Sequence, residues 1–214
     1  QVKGTLVHAV LEEMHKLPRQ DRLYPTAVKR LKPNWATMCK EDPELTDLVS
    51  DADLYDFLVE CRALLRGYFE MENPQGFDAH ECEMYVDTVL PNGVPVRGFI
   101  DRVDIAPTGQ VRVVDYKTGK KPKPQWSQQA QFQMRFYALV YWRLFDVVPT
   151  QLRLMYLKVI DSMFLTPSTE ELEFFERDLG DLWAKIEGDG RAGTSFERRA
   201  VHRSDIIGGQ VFRR

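Results

Sequence analysis

Two short runs hold the residues of this 214-residue chain that are best suited to chemistry: Gly98-Phe99-Ile100-Asp101-Arg102-Val103-Asp104 and Val113-Val114-Asp115-Tyr116-Lys117-Thr118-Gly119. Both are rich in β-branched residues and read as strands. Pro107-Thr108-Gly109 between them suits a hairpin loop made of a type I turn closed by a glycine at positive φ. Side chains alternate faces along a strand, so Asp115 and Lys117 project from the same side. Folding the hairpin about Thr108 sets Asp101 opposite Asp115, with Cβ atoms about 5 Å apart. Two carboxylates held that close repel unless a cation lies between them, and Mg²⁺ prefers carboxylate oxygen at roughly 2.0–2.1 Å. An ammonium on the same face can stabilise an attacking hydroxide or the charge developing on a phosphate. Metal, activated water and cation are together what in-line phosphodiester hydrolysis needs.

Each residue taken singly has a plainer reading. Asp101 and Arg102 could make surface ion pairs, and Asp115 to Gly119 could be a polar strand end. The conjunction is harder to dismiss, because apolar Phe99-Ile100 and Val113-Val114 run straight into acids that should be core neighbours. Buried unpaired acids are costly, which favours a site. His80 with Cys82 suggests zinc only superficially, since no partner pair stands at ligand spacing.

The elements that must position these residues follow from periodicity. Leu6, Val7, Val10, Leu11 and Met14 recur at helical spacing, with Thr5 as N-cap, in a helix ending near Pro18. A short helix is expected between Tyr24 and Cys39, and Glu44 to Met71 reads as one long helix or two. Glu81 to Leu90 is extended, and Pro91-Asn92-Gly93 makes a turn. Gln125 to Phe145 reads as a helix, Gln151 to Ile160 as a strand with Ser162 to Leu165 beside it, and Thr169 to Glu187 as an acidic amphipathic helix. The expected sum is one α/β domain over 1–214. It has a helical part to about residue 75, a largely antiparallel catalytic sheet with helices over about 76–187, and an irregular tail over 188–214.

Composition permits this reading without demanding it. At 43% hydrophobic and 29% charged the chain has the balance of a globular protein. No apolar run approaches the roughly 20 residues of a membrane span, and the first residues resemble neither a signal nor a transit peptide, so a cytoplasmic location is the expectation. The chain opens at Gln1 without a Met, and a preceding residue or segment is expected. Net charge is −3, yet the charge is uneven: acids crowd Glu41–Asp56 and Glu170–Asp181, whereas Arg112–Lys123 and Arg191–Arg214 are basic. A local basic groove for phosphates is therefore allowed. Three separated cysteines, Cys39, Cys61 and Cys82, form no disulfide framework.

GFIDRVD followed by VDYKTG resembles the catalytic hairpin of the PD-(D/E)XK nuclease superfamily. The likeness is nearest to its RecB-type exonuclease family, which includes the nuclease domains of bacterial recombination helicases and CRISPR-associated RecB-like nucleases. Gly4-Thr5-Leu6-Val7-His8 is similar to that family's leading helix, and Gln133-x-x-x-Tyr137 to its Q-x-x-x-Y motif. D-x-K alone is a weak pattern; the ordered set is specific and runs from Gly4 to about Trp183. The resemblance implies a restriction-endonuclease-like core, a central mixed β-sheet flanked by helices. It implies that His8, Asp101, Asp115 and the Tyr116 main-chain carbonyl ligate Mg²⁺ or Mn²⁺, with Lys117 as catalytic lysine. Gln133 and Tyr137, at i and i+4 on one helical face, would contact DNA or brace the site. Glu83 and Arg102 would serve as DNA-binding or supporting residues. Without the motif, His8 would read as a helix-face histidine paired with Glu12.

The implied activity is a metal-dependent DNA exonuclease in repair or recombination, with DNA (single-stranded or with free ends) as substrate and a helicase or other recombination protein as partner. Many relatives hold an iron–sulfur cluster with one cysteine before the leading helix and three near the C-terminus. This chain starts just before that helix and has no cysteine over 196–214, so no cluster is expected in it. Two other readings stay open: a non-catalytic nuclease-like module that binds DNA or a protein, and a structure-selective endonuclease.

Overall fold

The computed structural model describes residues 2–124 and 127–191. Helix α1 (Val2–His15) buries Leu6, Val7, Val10, Leu11 and Met14, one stripe at 3.6-residue spacing. It is already helical at Val2, so Thr5, expected as its cap, is an interior residue. Helix α2 (Tyr24–Glu41) is longer than the short helix its prolines suggest. Pro25 falls in the first turn, where no N–H is needed, and Pro33 is accommodated inside. The next stretch divides into α3 (Leu45–Leu48) and α4 (Leu54–Met71). Helices α1, α2 and α4 share a core containing Trp35, Phe57, Leu65 and Tyr68.

Five strands follow: β1 (Glu81–Val89), β2 (Pro95–Ile105), β3 (Val111–Lys117), β4 (Gln151–Tyr156) and β5 (Asp161–Leu165). They lie side by side in chain order, and every pair is antiparallel except β3 and β4. A parallel pair needs a crossover, and α5 (Gln128–Phe145) supplies it. The sheet is thus mixed and flanked by helices. Strand β4 stops at Tyr156 rather than Ile160, because residues 157–160 turn back into β5 with Ile160 at φ 53°. Helix α6 (Thr169–Arg191) runs four residues past its expected end. The expected tail beyond Arg191 and the start of the α5 segment at Gln125 lie outside the described residues.

Each sheet face has its own core. On β3, Val111 and Val113 pack toward α5 and α6, whereas Val114 and Tyr116 pack toward α1 and α4. Gly67 lets α4 seat against the sheet, since a Cβ there would lie 2.0 Å from the Leu157 carbonyl oxygen. Leu157 N–H donates in turn to the Lys117 carbonyl at 2.9 Å, so this seat reaches the end of β3. Gly67→Ala should cost about 1–3 kcal/mol of overpacking strain, read as a lowered urea midpoint.

Beneath α1, buried His15 has Nε2 at 3.0 Å from the Tyr68 hydroxyl and 3.2 Å from Arg102 Nη1. A guanidinium can only donate, so Nε2 accepts and the ring proton sits on Nδ1. Burial first, and the Arg102 charge second, push the His15 pKa down to about 3. The unfolded chain therefore takes up a proton near pH 6.5 that the folded chain refuses. Stability contributed by neutral His15 is complete above that pH and is lost as pH falls toward 3, by up to ~1.4 kcal/mol per pH unit. Urea melts between pH 7 and 5 should show this fall, and His15→Gln should flatten it.

Candidate active site

The β2–β3 ladder pairs Ile105 with Val111 through Arg102 with Val114 and then stops. Continued by one residue, that register sets Asp101 opposite Asp115, as folding about Thr108 requires. Gly109 has the positive φ, 84°, that the loop needs. Where the ladder stops, a side chain takes over: Asp101 Oδ2 accepts from the Tyr116 N–H at 2.7 Å. Both acids are buried, Asp101 at 4% and Asp115 at 2% exposure.

Two cations offset this buried charge. His8, one turn past Gly4 on α1, has Nδ1 3.5 Å from Asp101 Oδ1 and donates from Nε2 to the Tyr116 carbonyl at 2.9 Å. Burial works against its charge, but the Asp101 carboxylate outweighs burial and raises the His8 pKa to about 9. Gly4 sits against Thr118, a Cβ there being 3.2 Å from Thr118 Oγ1, so α1 approaches the end of β3 closely. Lys117 Nζ lies 2.8 Å from Asp115 Oδ2. Burial again opposes the Lys117 charge, and Asp115 holds it above the usual lysine range.

The two carboxylates differ in environment. Burial works to raise Asp101, but His8 and the Tyr116 N–H more than compensate and hold it below the ordinary range. Asp115 is pushed up, by burial first and then by the Asp101 charge, with Lys117 pulling the other way. Its Oδ1 accepts from Gln133 Nε2 at 3.3 Å, and the same Gln133 nitrogen is 3.2 Å from the Tyr137 hydroxyl. Its Oδ2 is buried and meets the Lys117 ammonium. Burial, then the Asp115 and Asp101 charges, keep the Tyr137 phenol protonated well above its usual range.

Glu83 completes the group. Donor atoms of His8, Glu83 and Asp101 all lie within 4.8 Å of one another. That spread and that chemistry, carboxylate oxygen with one imidazole, fit a divalent cation able to draw ligands to about 2.1 Å. Glu83 has φ 50°, a strained value for a non-glycine residue, where β1 passes Asp101. The parity of core residues also changes here, since Val96 and Ile100 pack in the α5 core and so does Val103. Both strands therefore bend out of alternation at the acids. Folding the β1–β2 hairpin about Asn92 would have set Glu83 opposite Asp101, the signal that places it in the cluster rather than at its margin.

His8, Asp101, Asp115, Tyr116, Lys117, Gln133 and Tyr137 thus converge from α1, β2, β3 and α5. Arg102 does not join them. It is fully buried on the opposite sheet face, against Glu72 and Tyr116, out of reach of any DNA. In the basic loop, Lys121 is engaged by Asp161 at 2.6 Å, while Lys120 and Lys123 are exposed. No helix among the described residues is long and apolar enough to cross a membrane.

Comparison with known proteins agrees with this geometry. No curated protein matches the chain significantly. A family model does, described as the PD-(D/E)XK nuclease superfamily and matching residues 1–199. With a mixed sheet flanked by helices, paired buried acids and a lysine two residues after the second, the chain belongs to the PD-(D/E)XK nuclease superfamily.

Proposed function

We propose that this nuclease-superfamily member is a Mg²⁺- or Mn²⁺-dependent deoxyribonuclease that acts as an exonuclease on DNA ends in repair or recombination. In this reading His8, Asp101, Asp115 and the Tyr116 carbonyl hold the cation, with Glu83 beside them, and Lys117 is the catalytic lysine. The observation that carries it is the buried Asp101–Asp115 pair, with His8 and Glu83 beside Asp101 and the Lys117 ammonium on Asp115. Two acids buried together beside a histidine and a lysine point to a cation or to substrate chemistry. The superfamily supports DNA as substrate. The exonuclease part rests on the ordered RecB-type motifs, which also imply a helicase or other recombination protein as partner.

The chain's own groups divide the work. A bound divalent cation supplies a lowered water pKa and charge against the phosphate oxygens. Lys117, fixed by Asp115, presents its ammonium on the face where negative charge develops. Gln133 and Tyr137 orient Asp115 from α5. His8 holds both Asp101 and the Tyr116 peptide, so α1 keeps the end of β3 in place.

End-labelled single- and double-stranded DNA, with and without EDTA, test the activity. Asp115→Ala and Lys117→Ala should each lower kcat by ~10²–10³-fold, and cleavage that survives either change sinks the assignment. Closed circles should be spared, and cutting them would favour an endonuclease. DNA binding without turnover in Mn²⁺ would favour a non-catalytic module.

Metal binding has a separate readout. At a hundredfold excess over its Kd, Mn²⁺ should stabilise the wild-type fold by about 2.7 kcal/mol, seen as a rise in melting temperature. Asp101→Asn keeps an oxygen for the Tyr116 N–H but loses the charge, and it should abolish most of that rise.

A further inference from the structure

Tyr116 belongs to two environments at once. Its main chain lies in the candidate active site, where Asp101 takes the N–H and His8 the carbonyl. Its neighbour Lys117 is tied to β4, with the Lys117 carbonyl accepting from Leu157 N–H at 2.9 Å. Peptide groups alternate direction along a strand, so those of Tyr116 point toward β2. The β2 ladder has ended at Arg102–Val114. Among the described residues the β2–β3 ladder does not reach the Tyr116 N–H and carbonyl, which meet Asp101 and His8 instead.

The Tyr116 side chain is held from the other face. Arg102 Nη1 donates to the Tyr116 hydroxyl at 2.7 Å, and Arg102 is fully buried. The guanidinium is fixed in turn by a two-pronged bond to Glu72, Nη1 to Oε1 at 2.7 Å and Nη2 to Oε2 at 3.0 Å, and by Asp104 at 3.2 Å. Glu72 also takes a bond from Arg153 of β4 at 3.1 Å. The fork thus ties Tyr116 to the end of α4 and to β4, through groups with well-defined geometry.

The geometry points to Arg102 as a positioning residue for the metal centre, acting through the Tyr116 phenol to hold the main-chain carbonyl that faces His8. This deepens the proposed metal site and rests on it. On the β2 side the carbonyl meets the His8 ring, which must itself turn to a cation when one binds. Buried charge on the far side of the sheet then has a task beyond joining α4 to β2.

The test compares two buried hydroxyls of the same network. Tyr116→Phe removes only the oxygen that Arg102 grips. Tyr68→Phe removes the hydroxyl that bonds His15 and Glu72 and takes a long 3.5 Å contact from Arg102 Nη1, from a residue whose main chain lies on α4 away from the site. Mn²⁺ affinity is measured by calorimetry on each folded variant, and kcat and KM are measured separately on linear DNA. Tyr116→Phe should weaken Mn²⁺ about tenfold, as loss of an outer partner of a ligand does, and lower kcat with KM unchanged. Tyr68→Phe should lower the melting temperature alone. Equal effects of the two changes, or an unaltered Mn²⁺ affinity in Tyr116→Phe, would overturn the inference while leaving the nuclease reading intact. A wild-type protein that takes up no Mn²⁺ would overturn the metal site and this inference with it.

Discussion

Two carboxylates placed face to face in the core of a sheet are the constraint around which the chain is organised. Asp101 and Asp115 are nearly sealed from solvent and repel each other. Burying one unpaired charge already costs several kcal/mol, and two of the same sign cost more. The fold answers with an imidazolium from α1, an ammonium from β3, an amide from α5 and a peptide N–H from β3. No single element could deliver all four. The N-terminal helices and the crossover helix are each needed at this one point, and their packing cores lie on opposite faces of the sheet.

The same point is where regular sheet structure gives way. The β2–β3 ladder ends one residue before the acids meet, β1 passes through positive φ at Glu83, and the inward alternation of β2 changes parity. A continuous ladder would have consumed the Tyr116 N–H and carbonyl. Interrupting it frees those main-chain groups to meet Asp101 and His8. Local strain and lost hydrogen bonds are characteristic of sites whose geometry the rest of a fold over-determines.

Charge is buried on both faces of the same two strands. Arg102 stands next to Asp101 in sequence and points the other way, into a cluster with Glu72, Asp104, Arg112 and Arg153. The two polar groups are separated by one layer of backbone and joined by Tyr116. The Arg102 cluster joins α4, β2, β3 and β4 through charge-assisted bonds, and so holds the strands that carry the site. His15, kept neutral inside that cluster, is the member most exposed to acid.

Much of this was legible in the residues alone. Strand alternation and the hairpin loop at Pro107-Thr108-Gly109 set Asp101, Asp115 and Lys117 together, because register in a tight hairpin is local geometry. The helical stripes of α1 and α6 were legible for the same reason. Proline misled at α2, where one ring fell in the first turn and another was tolerated mid-helix. The end of β4 misled because its apolar run continues into a turn. What the sequence by itself determined was therefore the chemistry of one hairpin. Tertiary structure decided what surrounds it: that His8 of α1 reaches Asp101 and Tyr116, and that Glu72 closes on Arg102 behind them. Those are contacts between residues tens of positions apart, and long-range packing fixes them, which no local periodicity encodes.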